Sequence, residues 1–439
     1  MNLTRKIAFN TAVQIITKSI SVLFTLLTTI LLTGYLGKDG YGNYMYLMTL
    51  IVLFGSFADW GTATIGVREI AKEEDNSKLI GNIIIIRLLI GLLASLLLVG
   101  FAYFLPIKSA DLEFTRKSIC WAALALFFIA NRASLGIIFQ AKLQMGRMLV
   151  VETVNGLLIL LLSWLIITNQ IPSSTLIAAV ALASFLSLIL GWILTIRVVK
   201  ISLSFNRQFI LHYLKESLWM GAILLILTVV NKIDTVMLGI LKGGDAVGVY
   251  GLAYRVYDVL ILGAAYLMNS LLPVISQHAD LEINKIKLQT LYQRAFETLI
   301  LMAGILLIGV WIFAPLIISI LTQGRYVEFQ EAVPVLRLLS ISLCFAYYNH
   351  LTGYTIVALG KQRSYFSVAI IALGFNVIAN LLFIPVYSFI GSAWITILTE
   401  FIVSVLTTNL IFRLIKIKPS WQKLPGSIYL LLKSRGGLI

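Results

Sequence analysis

Repeated apolar runs of about twenty residues are the feature that most limits how this chain folds. A helix rises about 1.5 Å per residue, so about 20 apolar residues cross a hydrocarbon layer about 30 Å thick. Hydrophobic residues make up 59% of the 439 residues and charged residues only 12%, which excludes a soluble globular protein. We predict an all-α polytopic membrane protein with twelve transmembrane helices, at about 9–34, 41–63, 81–105, 118–140, 149–168, 173–196, 216–240, 246–275, 296–321, 333–359, 365–385 and 389–413.

Lysine and arginine are distributed unevenly between the loops that join these spans. Most of the 34 Lys and Arg residues lie in the set of loops that includes both chain ends. Because basic loops stay on the cytoplasmic side, we predict that both termini are cytoplasmic. The basic residues are scattered between apolar runs, so the net charge of +15 reflects topology and does not indicate nucleic-acid binding.

The two halves of the sequence repeat with a slowly growing offset. Three matches in chain order carry the repeat: Gly42 and Tyr44 with Gly248 and Tyr250, 206 residues apart; Asn131-Arg132 with Asn349-His350, 218 apart; and Asn155 with Asn376, 221 apart. Six spans per copy is an even number, so the two copies have the same orientation, as in transporters built from parallel repeats. We predict two six-helix bundles, at 1–200 and 216–418, with a cytoplasmic linker at 201–215 and a basic cytoplasmic tail at 419–439.

Four charges lie inside two apolar runs that meet at the turn 242–245: Lys232, Asp234, Arg255 and Asp258. Their distance from the turn places them roughly 10–18 Å deep, near the middle of the membrane. Charges at that depth are expensive and mark a functional site by default. The alternative is two ion pairs that hold helices together. At an offset of 206 the first repeat has uncharged residues at all four positions, which favours the binding-site interpretation.

Other isolated charges give further candidates, each with a structural alternative. Lys18 contacts a substrate or extends to the inner membrane surface. Arg132 contacts a substrate or is satisfied by Asn131 or by backbone groups. Glu400, alone among apolar residues, is a candidate proton carrier or faces a polar interior. Asp59 is a cavity acid or, as we favour, pairs with Arg68 or caps a helix.

Several short motifs together resemble the Wzx-type polysaccharide and lipid-linked oligosaccharide flippase family of the MATE-like superfamily. The resemblance covers nearly the whole chain and rests on Leu36-Gly37, Tyr41-Gly42-Asn43-Tyr44, Phe57-Ala58-Asp59-Trp60-Gly61, Arg68-Glu69-Ile70-Ala71, the segment 231–239, Gly248-Val249-Tyr250 and Gly360-Lys361-Gln362-Arg363. It implies that a polyprenyl-diphosphate-linked oligosaccharide moves from the cytoplasmic to the outer leaflet of the plasma membrane by alternating access. It also implies a central cavity lined by the first, second, seventh and eighth helices and carrying basic residues.

This resemblance gives the candidate charges their roles. Arg255 and Lys232 are the first choices for binding the diphosphate, because Arg and Lys form charge-assisted hydrogen bonds with phosphate. Lys18 and Arg132 are the next choices. Asp234 and Asp258 either hold the two basic residues in place or bind a coupling proton or sodium ion.

Two other functions stay open. A MATE-type cation or drug antiporter would share the fold but would need a net acidic cavity. A membrane glycosyltransferase or polymer ligase would need acidic catalytic residues on a long outer loop, and the predicted outer loops are short. We therefore expect no enzyme activity. We also expect no cofactor beyond a coupling H⁺ or Na⁺, because Cys120 and Cys344 form no metal or disulfide motif. The expected state is a monomer in contact with membrane lipids, with polysaccharide-assembly enzymes as candidate partners.

Overall fold

The described part of the chain is helical throughout. A computed structural model describes residues 3–72, 77–104, 112–202, 204–277, 281–416 and 419–420. The helices are α1 (Leu3–Asp59), α2 (Thr62–Lys72), α3 (Ser77–Phe104), α4 (Leu112–Ala141), α5 (Met145–Thr168), α6 (Leu176–Ile196), α7 (Arg207–Leu241), α8 (Gly244–Leu260), α9 (Leu262–Gln277), α10 (Leu281–Thr322), α11 (Tyr326–Phe329), α12 (Ala332–Ala358) and α13 (Gln362–Ile415), with one 3-10 turn at Ser173–Thr175.

The two longest helices each contain a non-helical residue that divides them into two arms. In α1 this residue is Gly37 (φ 67°, ψ −170°), and in α13 it is Ser388 (φ 51°, ψ −136°). The Ser392 hydroxyl lies 3.1 Å from the Asn380 side-chain oxygen, although twelve residues of straight helix would separate them by about 18 Å. The chain therefore folds back at Ser388. We call the arms α1a (3–36), α1b (38–59), α13a (362–387) and α13b (389–415).

The number of spans agrees with the sequence prediction. Ten described segments are long and apolar enough to cross a membrane, and α8 with α9 counts as one of them. Two of the ten, α1 and α13, contain the breaks at Gly37 and Ser388, so the described chain offers twelve spans. The predicted all-α class with about twelve apolar helices is confirmed. The short helix α2, which follows the second span, was not predicted.

The contacts divide the chain into two compact units. Unit 1 comprises Met1–Gly251 and Ser319–Phe329, and unit 2 comprises Leu252–Ile318 and Gln330–Ile439. Helix α7 and the start of α8 therefore group with the first six spans. The predicted limits at 1–200 and 216–418 follow the sequence repeat rather than these contacts, and they stay a prediction. The tail beyond 420 lies outside the described residues.

In unit 1, the first turns of α1b and α8 are packed backbone to backbone. A Cβ atom added at Gly42 would lie 1.8 Å from the Gly244 carbonyl oxygen, and one at Gly248 would lie 2.1 Å from the Lys38 carbonyl oxygen. Distances of that kind exclude any side chain. The contact is reciprocal, because Gly42 and Gly248 are the positions that the sequence repeat matches.

At the other end of unit 1, α2 covers an apolar core with its buried face. Ile65 and Ile70 pack there with isoleucines of α3 and α4, and Tyr213 of α7 joins them. The Tyr213 hydroxyl donates a hydrogen bond to the Thr62 carbonyl oxygen (2.5 Å), which fixes the start of α2. In unit 2, α12 packs on α13 and α9, and the Tyr347 hydroxyl donates to the Leu260 carbonyl oxygen (2.7 Å).

Candidate functional site

The two charges of α7 lie in unit 1 and differ in exposure. Asp234 is buried, whereas Lys232 is partly exposed. The Asp234 carboxylate accepts hydrogen bonds from the Tyr250 hydroxyl and from the Thr235 backbone N–H (2.7 Å). Donors from α7 and α8 thus engage the acid inside unit 1, and Lys232 lies close enough for its charge to act on Asp234. Tyr250 was noted in the sequence only as a repeat match, and nothing in the sequence indicated its contact with Asp234.

The two charges of α8 belong to unit 2. Arg255 and Asp258 are both partly exposed, and their three-residue spacing places them on the same face of the helix. Both make interactions within the described chain. The four charges predicted as one cluster are therefore divided between the units, two in each. Their grouping into a single substrate site stays a prediction.

Lys18 is exposed on α1a beside a stripe of hydroxyl groups. Five side chains at four-residue spacing each donate a hydrogen bond to the backbone carbonyl four residues earlier, at 2.7–2.9 Å: Thr17, Ser21, Thr25, Thr29 and Thr33. Such bonds satisfy a hydroxyl inside a membrane without another helix and tend to bend the helix. The regular spacing is visible in the sequence and could have been found there.

The predicted partner of Asp59 was wrong. Asp59 pairs with Arg87 of α3, whose nitrogen Nη1 lies 2.8 Å from Oδ1, and not with Arg68. Arg87 is only 2% exposed and also donates to the hydroxyls of Ser134 (2.7 Å) and Thr62. Asp59 therefore neutralises a buried cation at the junction of α1b, α2, α3 and α4. That is a structural role.

Arg132 takes part in a buried polar cluster of α4, α5 and α6. Its Nε atom lies 3.5 Å from the Glu152 carboxylate, and Nη1 donates to the Ser187 hydroxyl (3.1 Å), which lies 3.1 Å from the Asn155 side-chain oxygen. One alternative left open by the sequence was that Asn131 satisfies Arg132, whereas the described partners of Arg132 are Glu152 and Ser187. Glu152, which we did not single out, is the partner.

Glu400 lies at the equivalent place in unit 2, in contact with the repeat match of Asn131. The Asn349 amide donates to the Glu400 carboxylate (2.6 Å) and to its backbone carbonyl (2.9 Å). The Ser404 hydroxyl donates to the Asn349 side-chain oxygen (2.9 Å), which fixes the orientation of the amide. The predicted polar interior around Glu400 is therefore present, and its role as a proton carrier stays a prediction.

A series of polar side chains joins the two arms of α13 beside this pair. The Ser392 hydroxyl lies 3.1 Å from the Asn380 side-chain oxygen, the Asn380 amide donates to Asn376 (3.0 Å), and the Asn376 amide donates to the Thr399 hydroxyl (3.2 Å). All four residues are buried. They extend a polar interior from near the reversal at Ser388 to the neighbour of Glu400.

An apolar pocket of about 380 Å³ lies in unit 1 between α1a and α5. It contains none of the predicted site residues. Its lining is hydrocarbon except for one amide: Leu27, Ile30, Leu31, Leu157, Leu160, Leu161, Trp164 and Gln323. Among the residues that the structure describes, no group of three or more His, Cys, Asp or Glu side chains could hold a metal ion.

Comparison with known sequences places these features in a family context. The family model described as polysaccharide biosynthesis protein matches residues 3–279, and the MatE model matches residues 220–382. The probable flippase AglR of Haloferax volcanii is 26% identical over 196 residues, which are 43% of this chain and 39% of that protein. An uncharacterized membrane protein of Methanocaldococcus jannaschii is 27% identical over 188 residues, 42% of each chain. The matches thus span about two fifths of these relatives.

Solved structures show the same fold at low sequence identity. The lipid II flippase MurJ in an inward closed conformation has a TM-score of 0.75 at 17% identity, over 95% of this chain and 91% of that one. An inward-facing multidrug resistance MATE family transporter of the MOP superfamily has a TM-score of 0.72 at 16% identity, over 90% and 95%. A MOP superfamily transporter from Pyrococcus furiosus, whose binding pocket is described as reversed in polarity, has a TM-score of 0.64 at 17% identity, over 94% and 96%.

Proposed function

The chain belongs to the polysaccharide biosynthesis protein family, within the MOP superfamily of flippases and transporters, and we propose that it moves a polyprenyl-diphosphate-linked oligosaccharide from the cytoplasmic to the outer leaflet. It is a multi-pass membrane protein with relatives named as flippases or transporters. We infer that it acts by alternating access in the plasma membrane, with both termini cytoplasmic, as a monomer and without enzymatic activity of its own.

The observation that carries the substrate class is the different exposure of the two charges on α7. The carboxylate of Asp234 is buried and engaged by Tyr250 and Thr235, whereas Lys232 is partly exposed. Lys232 lies nine residues before the end of α7 at Leu241, so its Cα is about 13 Å from that end. Helix α7 thus buries its acidic side chain and leaves its basic side chain partly exposed at this depth. This arrangement favours binding of an anionic head group over binding of a cationic drug.

The test is reconstitution of the full chain in vesicles with a fluorescent polyprenyl-diphosphate oligosaccharide. The measured quantity is the fraction of head groups that an impermeant reagent modifies. Loss of a hydrogen bond to a charged group costs about 1.5–3 kcal/mol, so Lys232→Gln is expected to slow transfer about 10- to 100-fold. Lys242→Gln, the same change at the turn, is the control and should transport normally. Equal rates in the two variants would remove Lys232 from the substrate site.

Arg255 is the second proposed diphosphate contact and requires a different variant. Arg255→Lys keeps the charge but loses the planar guanidinium, so it should slow transfer less than Arg255→Ala. Replacing Arg255 and Asp258 together by leucine distinguishes binding from mutual neutralisation, because removing both members of a structural pair is often neutral. The proposal expects a folded, inactive double variant. An active double variant would assign both residues to the scaffold.

Export of an organic cation is the second candidate function. The MatE model match over residues 220–382 and the likeness to multidrug transporters favour it. A cation antiporter would need exposed acid in its site, and Asp258 of α8 is the partly exposed candidate. If the protein is such an antiporter, Asp258→Asn should abolish cation transport. If it is a flippase, the unmodified protein should transport no cation in vesicles that lack the lipid-linked sugar.

The proposed orientation has a direct test in a variant without Cys120 and Cys344. Val327 of α11 is 76% exposed, and Arg363 at the start of α13 is also exposed. A cysteine at Val327 should react with an impermeant reagent added to intact cells, and a cysteine at Arg363 should react only after permeabilisation. The reverse labelling pattern would overturn the orientation and the direction of transport.

A further inference from the structure

Glu400 is a carboxyl group inside the predicted membrane layer with a neutral partner. It lies twelve residues from the reversal at Ser388 and fifteen from the end of α13 at Ile415, about 18 and 22 Å along the helix. Its carboxylate accepts one hydrogen bond, from the Asn349 amide at 2.6 Å. Ser404 in turn holds the Asn349 side-chain oxygen, so the amide is oriented toward Glu400.

The elements packed around Glu400 offer no compensating cation within the described chain. Helix α12 contributes Asn349 and the adjacent His350, whose ring stacks near Tyr354 with centroids 5.9 Å apart. Arm α13a contributes Tyr365, which lies close enough to Glu400 to interact with its charge. No Lys or Arg among the residues that the structure describes forms an ion pair with Glu400.

The corresponding place in unit 1 is arranged differently. The repeat aligns Asn131-Arg132 with Asn349-His350, and Arg132 there has Glu152 at 3.5 Å and the Ser187 hydroxyl at 3.1 Å. An ion pair keeps both members charged. A carboxylate with a single neutral donor inside a membrane has no such compensation, and it lowers its energy by taking up a proton.

We propose that Glu400 and Asn349 form a proton-binding site in unit 2, and that the ion pair of Arg132 with Glu152 leaves unit 1 without one. Uptake of a proton by Glu400 weakens it as an acceptor for Asn349, and release of the proton strengthens that bond. Because the bond joins α12 to α13b, proton binding changes the contact between two spans of unit 2. A coupling of this proton to transport rests on the proposed function, whereas the site itself does not.

A buried polar series joins the two arms of α13 near the site. Ser392, Asn380 and Asn376 continue a polar interior from near the reversal at Ser388 to Thr399, the sequence neighbour of Glu400. An interior of that kind is expensive in a membrane protein unless it is fully hydrogen-bonded, and here each amide of the series has a partner. The series reaches Thr399, one residue before Glu400, and no hydrogen bond among the described residues joins it to the Glu400 carboxylate.

The first experiment measures the proton directly and needs no substrate. Infrared spectra of the full chain in lipid, recorded while the pH is raised, report a neutral carboxylic acid by its carbonyl stretch, which shifts in D₂O. We expect one such band that persists to higher pH than ordinary carboxyl groups allow. It should be lost in Glu400→Gln, which keeps the size and the acceptor for Asn349, and retained in Glu328→Gln, a change on α11 between the predicted spans. A band that survives Glu400→Gln, or its absence from the unmodified protein at every pH, would overturn the site.

The second experiment tests coupling in vesicles that carry a pH gradient. If transport of the lipid-linked sugar depends on the gradient, Glu400→Gln should remove that dependence while transfer without a gradient continues. An unchanged gradient dependence in this variant would overturn the coupling role and leave the infrared result standing. If no sugar moves in any variant, the proposed function fails and the infrared band still decides whether Glu400 binds a proton.

Discussion

The fourth and the tenth spans place polar groups at matching depth, and the two arrangements differ in charge. Asn131 lies ten residues before the end of α4 at Ala141, and Asn349 lies nine residues before the end of α12 at Ala358. In unit 1 the cluster is an ion pair, Arg132 with Glu152. In unit 2 it is the amide of Asn349 with the carboxyl of Glu400. The predicted sequence repeat accounts for the shared position, and under the proposal for Glu400 the arrangement in unit 2 is the one that changes its charge.

The hairpins at Gly37 and at the turn 242–245 behave in the opposite way, because there the two matched positions are alike. Gly42 and Gly248 each leave room for the backbone of the other hairpin, so both copies need glycine for the same contact. The matched positions of the two repeats therefore agree where backbones touch and differ where side chains carry charge. Close backbone packing imposes the same requirement for glycine on both positions.

The largest effect is expected from breaking the ion pair of unit 1 on one side. Glu152→Ala leaves Arg132, which is 7% exposed, without its carboxylate. An uncompensated buried charge costs about 3–5 kcal/mol, and we expect a loss of that order in the free energy of unfolding in lipid nanodiscs. Replacing Arg132 and Glu152 together by leucine should recover most of it. A double variant as unstable as Glu152→Ala would mean that the pair is not what holds this cluster.

The next effect in size tests the region where the repeats agree. Gly42→Ala forces a Cβ into the Gly244 carbonyl, 1.8 Å away, and overpacking of this kind costs about 1–3 kcal/mol or more. Gly251→Ala is the matched control, since its Cβ would meet only the flexible Met45 side chain at 3.4 Å. Thermal unfolding should separate the two variants. Equal midpoints would show that the close contact of the hairpins contributes nothing to stability.

A smaller effect distinguishes the carboxyl of unit 2 from that of unit 1. Glu400→Gln keeps the hydrogen bond from Asn349 and removes no ion pair, so we expect a change below about 1 kcal/mol. Glu152→Gln removes the charge that compensates Arg132 and should cost clearly more. Equal destabilisation by the two glutamine substitutions would contradict the difference between the repeats.

The smallest effect concerns an exposed ion-pair network between α2 and the beginning of α7. Arg68 pairs with Glu69 (2.8 Å) and Glu216 (3.1 Å), and such exposed pairs contribute about 0–1 kcal/mol, so Arg68→Ala should change stability by less than that. Burial raises the pKa of Glu69, but hydrogen bonds from Lys72 and Arg68 outweigh it and hold the pKa below its ordinary value. The contribution of Glu69 to the free energy of unfolding is present above its unfolded-state pKa and is lost as the pH falls through its folded-state pKa.

Thermal unfolding over a series of pH values and salt concentrations measures that last contribution. The difference between the unmodified protein and Arg68→Ala should vanish at low pH and shrink in high salt, as screening requires. If Arg68→Ala lowers stability as much as Glu152→Ala does, or if its effect does not change with salt, the expected difference between an exposed and a buried ion pair would be contradicted.

The spans could be predicted from the sequence because hydrocarbon thickness imposes their length. The turn at 242–245 was predicted and separates α7, ending at Leu241, from α8, beginning at Gly244. The reversal at Ser388 falls between the predicted spans 365–385 and 389–413. Apolar length and turn residues are local signals, so a single sequence contains them.

The partners of the charges could not be predicted, because they depend on packing between distant segments. Asp59 was assigned to Arg68, nine residues away, yet it binds Arg87 across α1b and α3. Glu152 was overlooked because one acid near the start of a span has no periodicity that marks it. The contact of Asp234 with Tyr250 joins two helices across a turn, which side-chain spacing alone does not indicate.

The most direct test of the proposed substrate class compares two lipids that differ in the head-group linkage alone. Vesicles with the unmodified chain receive the same fluorescent oligosaccharide on a polyprenyl chain, joined through a diphosphate in one sample and through an uncharged linker in the other. If exposed cations bind the diphosphate, the anionic lipid should be transferred at least about tenfold faster, since one charged hydrogen bond contributes about 1.5–3 kcal/mol. Equal transfer of the two lipids, or transfer of an organic cation in place of both, would contradict a flippase for diphosphate-linked saccharides.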